Sequence, residues 1–224
     1  MVEVIDALKL DKPFLVGHSI AGAELSSIAN RHPDRVAGLV YLDAAYSYAF
    51  DNGQGASVME MQKLQGPQPP PRGEADLASF HALQQYFERV NGFGFPEAEL
   101  RAHRDLNSDE RVGKERDAPG SALFMPLIMS KKKYISIPIR ALVIFANPHS
   151  QGTWVDKNTD PAVQGAAKAY STALSALTVK QEKAVENGVP MAHVITLPNA
   201  HHYVFLSNEA DVLREMQAFL AGAQ

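Results

Sequence analysis

The sequence of 224 residues lacks cysteine, an excess of basic residues and long apolar runs. Without cysteine the chain can form no disulfide, no thiolate metal site and no cysteine nucleophile. Its 21 basic and 25 acidic side chains give a formal net charge of −4, which argues against nucleic acid as the main partner. Because no run of eighteen or more apolar residues is present, we expect no membrane span.

What the sequence does contain is an alternation of strand and helix patterns. Apolar runs typical of strands covered on both faces lie at 14–16, 36–42, 139–146 and 192–197. Helical spacing of apolar residues flanks these runs, and Asn208 is a good N-cap for the last helix. The alternation predicts an α/β fold with an open, mostly parallel sheet.

A serine with small residues two positions before and after it lies between a predicted strand and a predicted helix, in Gly17-His18-Ser19-Ile20-Ala21. Small flanking residues permit a turn tight enough to project the serine hydroxyl above the sheet edge. The helix that follows offers backbone N–H groups and the positive end of its dipole. We therefore predict Ser19 as a nucleophile; the alternative is a tight turn with an idle serine.

Two histidines stand in the loop after the last predicted strand, where a base for such a serine is expected. His201 and His202 lie at the same carboxyl edge of the sheet as Ser19, and the chain order of serine, acid, histidine is typical of this architecture. The alternative for the pair is a zinc or structural site, which we discount because no third ligand has convincing spacing.

At these residues the chain resembles the α/β-hydrolase superfamily. The resemblance implies the α/β-hydrolase fold, and the family's spacing in the histidine loop implies that His202 is the catalytic histidine, with His201 the less favoured choice. The matching segments are Gly17-His18-Ser19-Ile20-Ala21-Gly22, Tyr41-Leu42-Asp43-Ala44-Ala45, and Asn199-Ala200-His201-His202-Tyr203-Val204-Phe205-Leu206 followed by Asn208-Glu209.

The acid of the triad departs from the family's usual pattern. The loop after the penultimate strand, where most members carry the acid, reads His149-Ser150-Gln151 and offers no carboxylate. A minority of the family carries the acid directly after the strand that follows the nucleophile helix, which is the position of Asp43. We therefore predict Asp43, with Asp156 or Asp160 as alternatives; otherwise Asp43 is a polar strand end or a helix cap.

The amino-terminal part of the family's fold is expected to be missing, because only eighteen residues precede Ser19. The family has four strands and a helix before this point, so we expect a truncated gene model or a fragment of a once active hydrolase. The family's oxyanion hole uses the backbone N–H after the nucleophile, here that of Ile20, and a second donor from the missing part. Losing one such donor costs about 3 kcal/mol of transition-state stabilisation.

The insertion between about 44 and 137 resembles a lid, because it is rich in glycine, proline and aromatic residues with short helical patterns. We predict a core of 1–43 and 138–224 and a mainly helical lid at 44–137. Its larger apolar side chains suggest an apolar acyl or alkyl pocket, although ordinary packing would also explain them. They are Phe80, Phe87, Phe93, Phe95, Phe124, Met125 and Met129.

The resemblance implies a serine hydrolase that cleaves a carboxylic ester or related acyl substrate, apolar and small, with no metal or organic cofactor. Two alternatives remain: a non-catalytic or vestigial protein on the same scaffold, and a lyase or cofactor-free peroxidase with the same triad. The sequence does not indicate the oligomeric state. The cytoplasm is the default expectation for localisation, since any export signal would lie in the missing amino-terminal part.

Overall fold

The computed structural model describes residues 1–116, 121–128 and 134–222. Its strands are β1 (Phe14–His18), β2 (Gly38–Leu42), β3 (Arg104–Leu106), β4 (Val112–Glu115), β5 (Ala141–Ala146) and β6 (Ala192–Leu197). Its helices are α1 (Val2–Ala7), α2 (Ala21–Arg31), α3 (Val58–Gln62), α4 (Phe80–Asn91), α5 (Glu97–His103), α6 (Ser121–Ile128), α7 (Thr153–Asp156), α8 (Pro161–Gly188), α9 (Val204–Ser207) and α10 (Glu209–Ala221).

In the described residues, four strands form one parallel sheet in the order β1-β2-β5-β6. Its register aligns Gly17 with Tyr41, Tyr41 with Val143, and Val143 with Val194. All four strands therefore end at the same edge of the sheet. This is the predicted α/β architecture, and the predicted strand runs match β1, β2, β5 and β6.

Both faces of the sheet are covered, which explains why its central strands read as continuous apolar runs. Along β5, Val143 and Phe145 pack with Leu25 of α2 on one face, while Leu142 and Ile144 pack with α9 and α10 on the other. The alternation follows from the two-residue period of a strand. Among the helices of the described residues, none is long and apolar enough to cross a membrane.

The last helix begins where the sequence predicts, but Asn208 does not cap it in the predicted way. Asn208 occupies the N-cap position, yet within the described residues its side chain makes no capping hydrogen bond. Its Oδ1 instead accepts a hydrogen bond from the Ser207 hydroxyl at 2.8 Å. Ser207 ends the short helix α9, which the sequence pattern did not predict, so the preceding turn takes up the side chain that would have capped α10.

The chain forms two compact units. The first holds the four-stranded sheet and comprises 1–65, 125–150 and 171–224; the second comprises 66–124 and 151–170. In the second unit, Phe80, Leu83, Tyr86 and Val90 form the buried face of α4, as their helical spacing predicts. The unit also contains the antiparallel β3–β4 pair. The assignment of residues 44–137 as a lid stays a prediction.

The aromatic residues predicted to line an apolar pocket are packed within the second unit where the structure describes them. Phe87 contacts Phe95 with ring centroids 4.8 Å apart, and Phe80 is buried in the same cluster. Ordinary packing therefore accounts for these three side chains. Met125 belongs to the first unit and is 50% exposed; the Phe124 side chain and Met129 lie outside the described residues, and the pocket stays a prediction.

Two adjacent residues of α8 hold two different loops at the carboxyl edge of the sheet. The buried Gln181 amide donates to the carbonyls of Ala45 and Phe50, at 2.8 and 3.0 Å. Glu182 Oε1 accepts hydrogen bonds from the Asn147 amide and the Thr196 hydroxyl, at 3.4 and 3.1 Å. Burial raises the pKa of Glu182 above its ordinary value, and the hydrogen bonds from these two donors oppose part of this shift. One helix thus fixes the loops that follow β2 and β5.

A glycine in the first turn of α2 lets this helix approach the loop after β2. A Cβ built on Gly22 would lie 1.9 Å from the carbonyl oxygen of Ala44, so no other residue fits without displacing backbone. By contrast, a Cβ on Gly165 in α8 meets nothing within 4 Å.

We expect Gly22→Ala to lower the free energy of unfolding by about 1–3 kcal/mol, because the added methyl group forces the backbone apart. The matched control, Gly165→Ala, should raise it by up to about 1 kcal/mol, because alanine is the better helix former at an open site. Urea denaturation followed by circular dichroism measures both. Equal stability of Gly22→Ala and the unmodified protein would contradict the close approach.

Candidate active site

Four loops carrying polar side chains leave the carboxyl ends of the four parallel strands. Ser19 follows β1, Asp43 follows β2, His149 lies in the loop after β5, and His202 lies in the loop after β6. Crevices at the carboxyl ends of parallel strands are the usual ligand sites of open α/β sheets. All four residues belong to the first compact unit.

Ser19 occupies a strained turn between β1 and α2. Its φ angle is +53°, in the left-handed region that non-glycine residues rarely adopt. Its backbone N–H donates to the carbonyl of Leu42 at 3.4 Å, and its carbonyl accepts from Gly22 in the first turn of α2. The small flanking residues have a packing reason, since a Cβ on Gly17 would lie 2.9 Å from Leu25 and 3.2 Å from Ala21.

The carboxylate of Asp43 is fully buried and accepts four hydrogen bonds. Oδ1 accepts from the Tyr46 hydroxyl at 2.7 Å and from the backbone N–H of Ala146 at 3.1 Å. Oδ2 accepts from Nδ1 of His202 at 2.6 Å and from Nε2 of His149 at 2.8 Å. Because an ionised carboxylate has about four acceptor positions, each is used once.

Burial alone would raise the pKa of Asp43, since it disfavours the charged form. The hydrogen bonds from His149 and His202, together with their charges, outweigh burial and hold the pKa of this carboxyl well below its usual value. The site therefore contains a fixed negative charge without access to water, in direct contact with two imidazole rings.

His202 is the histidine that contacts the predicted acid. Since the carboxylate of Asp43 can only accept, Nδ1 of His202 carries the hydrogen, which leaves Nε2 able to take up a proton. The His202 side chain is 38% exposed, so the ring is accessible although the acid is not. Nδ1 of the neighbouring His201 instead accepts a hydrogen bond from the backbone N–H of Tyr203 at 3.2 Å.

The two alternative acids lie in the second compact unit. Asp156 is exposed in α7, and Asp160 is exposed before α8, where its Oδ1 accepts from the backbone N–H of Ala162 at 2.8 Å. Asp160 therefore has a local structural role at the start of a helix.

His149 is a member of the cluster that the sequence reasoning did not identify. The loop after β5 was considered only as the family's usual position for an acid, and the missing carboxylate removed it from consideration. The same position supplies a donor to the acid that lies one strand away. The signal that could have identified His149 is the pairing of β2 with β5, because it brings the loop of Asp43 and the loop of His149 to neighbouring strand ends.

Two tyrosines after β2 were also missed. Tyr46 donates to Asp43, and Tyr48 makes a side-chain hydrogen bond with Ser19. Burial, and then the negative charge of Asp43, raises the pKa of both phenols, so both stay protonated. The signal available in the sequence was their short distance from Asp43: Tyr46 and Tyr48 follow it by three and five residues and therefore lie in the same loop.

His18 holds the loop that carries His202. Its Nε2 donates to the carbonyl of His202 at 3.0 Å, and its ring lies near those of Tyr203 and Phe205, with centroids 4.9 and 5.1 Å away. Burial lowers the pKa of His18 to about 4, and burial likewise lowers that of His201 to about 4. Both rings are therefore neutral near pH 7 and serve as packing and hydrogen-bonding groups.

Asp43, His149 and His202 are also the group whose chemistry could hold a metal ion, since their ligand atoms lie within 4.8 Å of one another. The observed spacing is that of hydrogen bonds, at 2.6 and 2.8 Å. A tetrahedral zinc ion with bonds of about 2.1 Å would hold its ligand atoms about 3.4 Å apart. The arrangement therefore fits protons between these atoms better than a cation.

The sequence profile of the Alpha/beta hydrolase family matches residues 1–215. The chain belongs to the α/β-hydrolase family. Its parallel sheet with helices on both faces agrees with the α/β-hydrolase fold expected from the sequence.

Solved structures of similar fold cover nearly the whole chain. They include E-2-(acetamidomethylene)succinate hydrolase, with TM-score 0.56, 16% identity, and coverage of 98% of this chain and 70% of that one. Carboxylesterase CesB from Bacillus subtilis has TM-score 0.51, 17% identity and coverage of 99% and 64%. A marine microorganism esterase has TM-score 0.52, 15% identity and coverage of 97% and 74%. At such identities the likeness concerns the fold.

A short segment is more closely similar to the pyrethroid hydrolase of Sphingobium wenxiniae, at 60% identity over 30 residues. The segment is 13% of this chain and 11% of that protein. The chain spans about two thirds of the length of the carboxylesterase it resembles.

We expect the free energy of unfolding to fall between pH 7 and pH 5, because His18 and His201 stay neutral when folded to about pH 4 but take up protons near pH 6.5 when unfolded. The pKa of both rings is lower in the folded protein. Their contribution to the free energy of unfolding is therefore complete above pH 6.5 and is lost progressively as the pH falls from 6.5 to about 4. Asp43, whose pKa is lowered from an ordinary 3.8, stays ionised in both states across this window.

Urea denaturation at pH 7 and pH 5 measures this loss. The double variant His18→Gln/His201→Gln should lose clearly less stability over the interval than the unmodified protein, whereas the control His193→Gln, at an exposed position of β6, should lose the same amount. An unchanged loss in the double variant would show that these two rings are not held neutral by the fold.

Proposed function

We propose that this α/β-hydrolase is a serine hydrolase that cleaves a carboxylic ester or related acyl substrate with Ser19, His202 and Asp43. The observation that carries the proposal is the 2.6 Å hydrogen bond from Nδ1 of His202 to the buried carboxylate of Asp43. It is supported by the strained turn at Ser19, whose strand ends at the same sheet edge.

In the proposed reaction, the Ser19 hydroxyl loses its proton to Nε2 of His202 as its oxygen attacks the substrate carbonyl carbon. Asp43 keeps the proton of His202 on Nδ1 and stabilises the imidazolium that forms. The backbone N–H of Ile20, at the start of α2, stabilises the oxyanion. His202 then protonates the leaving alcohol, and an activated water molecule hydrolyses the acyl-enzyme.

The buried acid suits this role because water does not screen its charge from His202. A carboxylate with all four acceptor positions occupied cannot rotate away from His202 without losing hydrogen bonds, each worth about 1.5–3 kcal/mol when one partner is charged. The accessible ring of His202 meets the other requirement, which is contact with substrate.

The comparisons support hydrolysis as the type of reaction. The 30-residue segment is similar to a protein named as a hydrolase, the pyrethroid hydrolase, and the family profile covers the segments that carry Ser19, Asp43 and His202. A small acyl substrate is the class we propose.

The purified protein should react covalently with a fluorophosphonate probe, and Ser19→Ala should abolish the labelling, because the probe reacts only with an activated serine hydroxyl. Ser27→Ala, on the same helix, is the matched control and should label normally. In-gel fluorescence measures both. If the folded, unmodified protein does not label, the proposed nucleophile is wrong and the vestigial alternative stands.

Asp43→Asn should lower the rate of probe labelling, or of ester hydrolysis, by about 10⁴-fold, because an amide can donate to Nδ1 of His202 and stabilise the wrong tautomer. Asp156→Asn and Asp160→Asn test the alternative acids and should keep nearly the full rate. The extent of labelling in samples quenched at successive times gives the rates, and circular dichroism checks that each variant is folded. A large loss in Asp156→Asn or Asp160→Asn alone would reassign the acid.

A further inference from the structure

Two histidines donate to the same oxygen of the buried acid. Nε2 of His149 lies 2.8 Å from Oδ2 of Asp43, and Nδ1 of His202 lies 2.6 Å from it. The ring centroids of the two histidines are 6.5 Å apart. Only one of these histidines has a role in the proposed reaction, so the second needs its own explanation.

The orientation of the His149 ring follows from its surroundings. Nε2 must carry a hydrogen, because the ionised carboxylate has none to donate. Nδ1 is buried and has no hydrogen-bond partner among the described residues. The hydrogen bond to Asp43 is therefore donated by the Nε2–H of His149.

The burial of the two rings also differs. The side chain of His149 is 12% exposed and that of His202 is 38% exposed. His149 comes from the loop after β5, whose first residue is held by Glu182 through the Asn147 amide. It is thus a fixed donor on a supported loop, whereas His202 is the accessible partner of the same oxygen.

The second donor changes how Asp43 is held. Tyr46 and the Ala146 backbone fix Oδ1, but without His149 the only partner of Oδ2 among the described residues would be His202. In the proposed reaction His202 gains and loses a proton at each step, so its own hydrogen bond to Oδ2 strengthens and weakens. A second donor that takes no part in the proton transfer keeps Oδ2 in place throughout.

We propose that His149 is a positioning residue that acts through Asp43: its Nε2–H fixes Oδ2 so that this oxygen stays aligned with Nδ1 of His202. The inference rests on the proposed function, since it assigns a supporting role within that site.

The kinetic test compares His149→Leu with His149→Gln. Leucine removes the donor, whereas the glutamine amide can place an N–H near the position of Nε2. We expect His149→Leu to lower kcat for an ester substrate, or the labelling rate constant for the fluorophosphonate probe, by about 10- to 100-fold. KM should change by less than about twofold. His149→Gln should recover most of the rate, and the control His193→Leu, at an exposed strand position, should keep it.

A second measurement is independent of activity. In Ser19→Ala protein with ¹⁵N-labelled histidine, NMR at pH 7 should show a hydrogen on Nε2 of His149, whose signals are assigned as those that His149→Gln removes. The Nδ1–H proton of His202 should remain hydrogen-bonded in His149→Gln. A His149 ring with no hydrogen on Nε2 would overturn the proposal.

The outcomes separate the two proposals. If the unmodified protein labels at Ser19 but His149→Leu reacts at the same rate, or if glutamine recovers none of a loss, His149 does not position Asp43 and the hydrolase proposal stands. If the unmodified protein does not label, the hydrolase proposal fails. The NMR result then still decides whether His149 donates to Asp43, and a role in catalysis is refuted together with the reaction.

Discussion

A buried negative charge at the edge of the sheet sets the requirements that the surrounding loops satisfy. An unpaired carboxylate in a protein interior is too costly to remain ionised, so Asp43 needs donors on every acceptor position. The structure supplies them from four places along the chain: a tyrosine three residues later, a backbone N–H at the end of β5, and one histidine from each of the loops after β5 and β6. The parallel sheet matters because it brings these strand ends together.

The loops that carry these donors are held in turn by groups away from the site. Gln181 and Glu182 of α8 fix the loops after β2 and β5, and His18 fixes the loop after β6 through the carbonyl of His202. Burial keeps His18 and the two tyrosines in their uncharged forms. These three groups therefore add no charge to the surroundings of Asp43.

Much of this arrangement could be predicted from the sequence, for reasons specific to each residue. The central strands β2 and β5 were recognisable because both of their faces are covered, and the positions of Ser19, Asp43 and His202 followed from chain order at one sheet edge. The contact between Asp43 and His202 was expected from the resemblance and is present. The catalytic roles of Ser19, His202, Asp43 and Ile20 stay predictions. His149 and Tyr46 were missed because a sequence pattern shows which residue types stand where, but not which loop side chains meet.

The pairing of Gln181 and Glu182 on one helix has a consequence for how the protein tolerates change. Successive residues of an α-helix are turned by about 100° from each other, and here each of the two neighbours serves a different loop. Inserting or deleting a single residue just before them in α8 would turn both side chains away together. Conserving the chemistry of the crevice therefore constrains the length of a helix that contributes none of the four donors to Asp43.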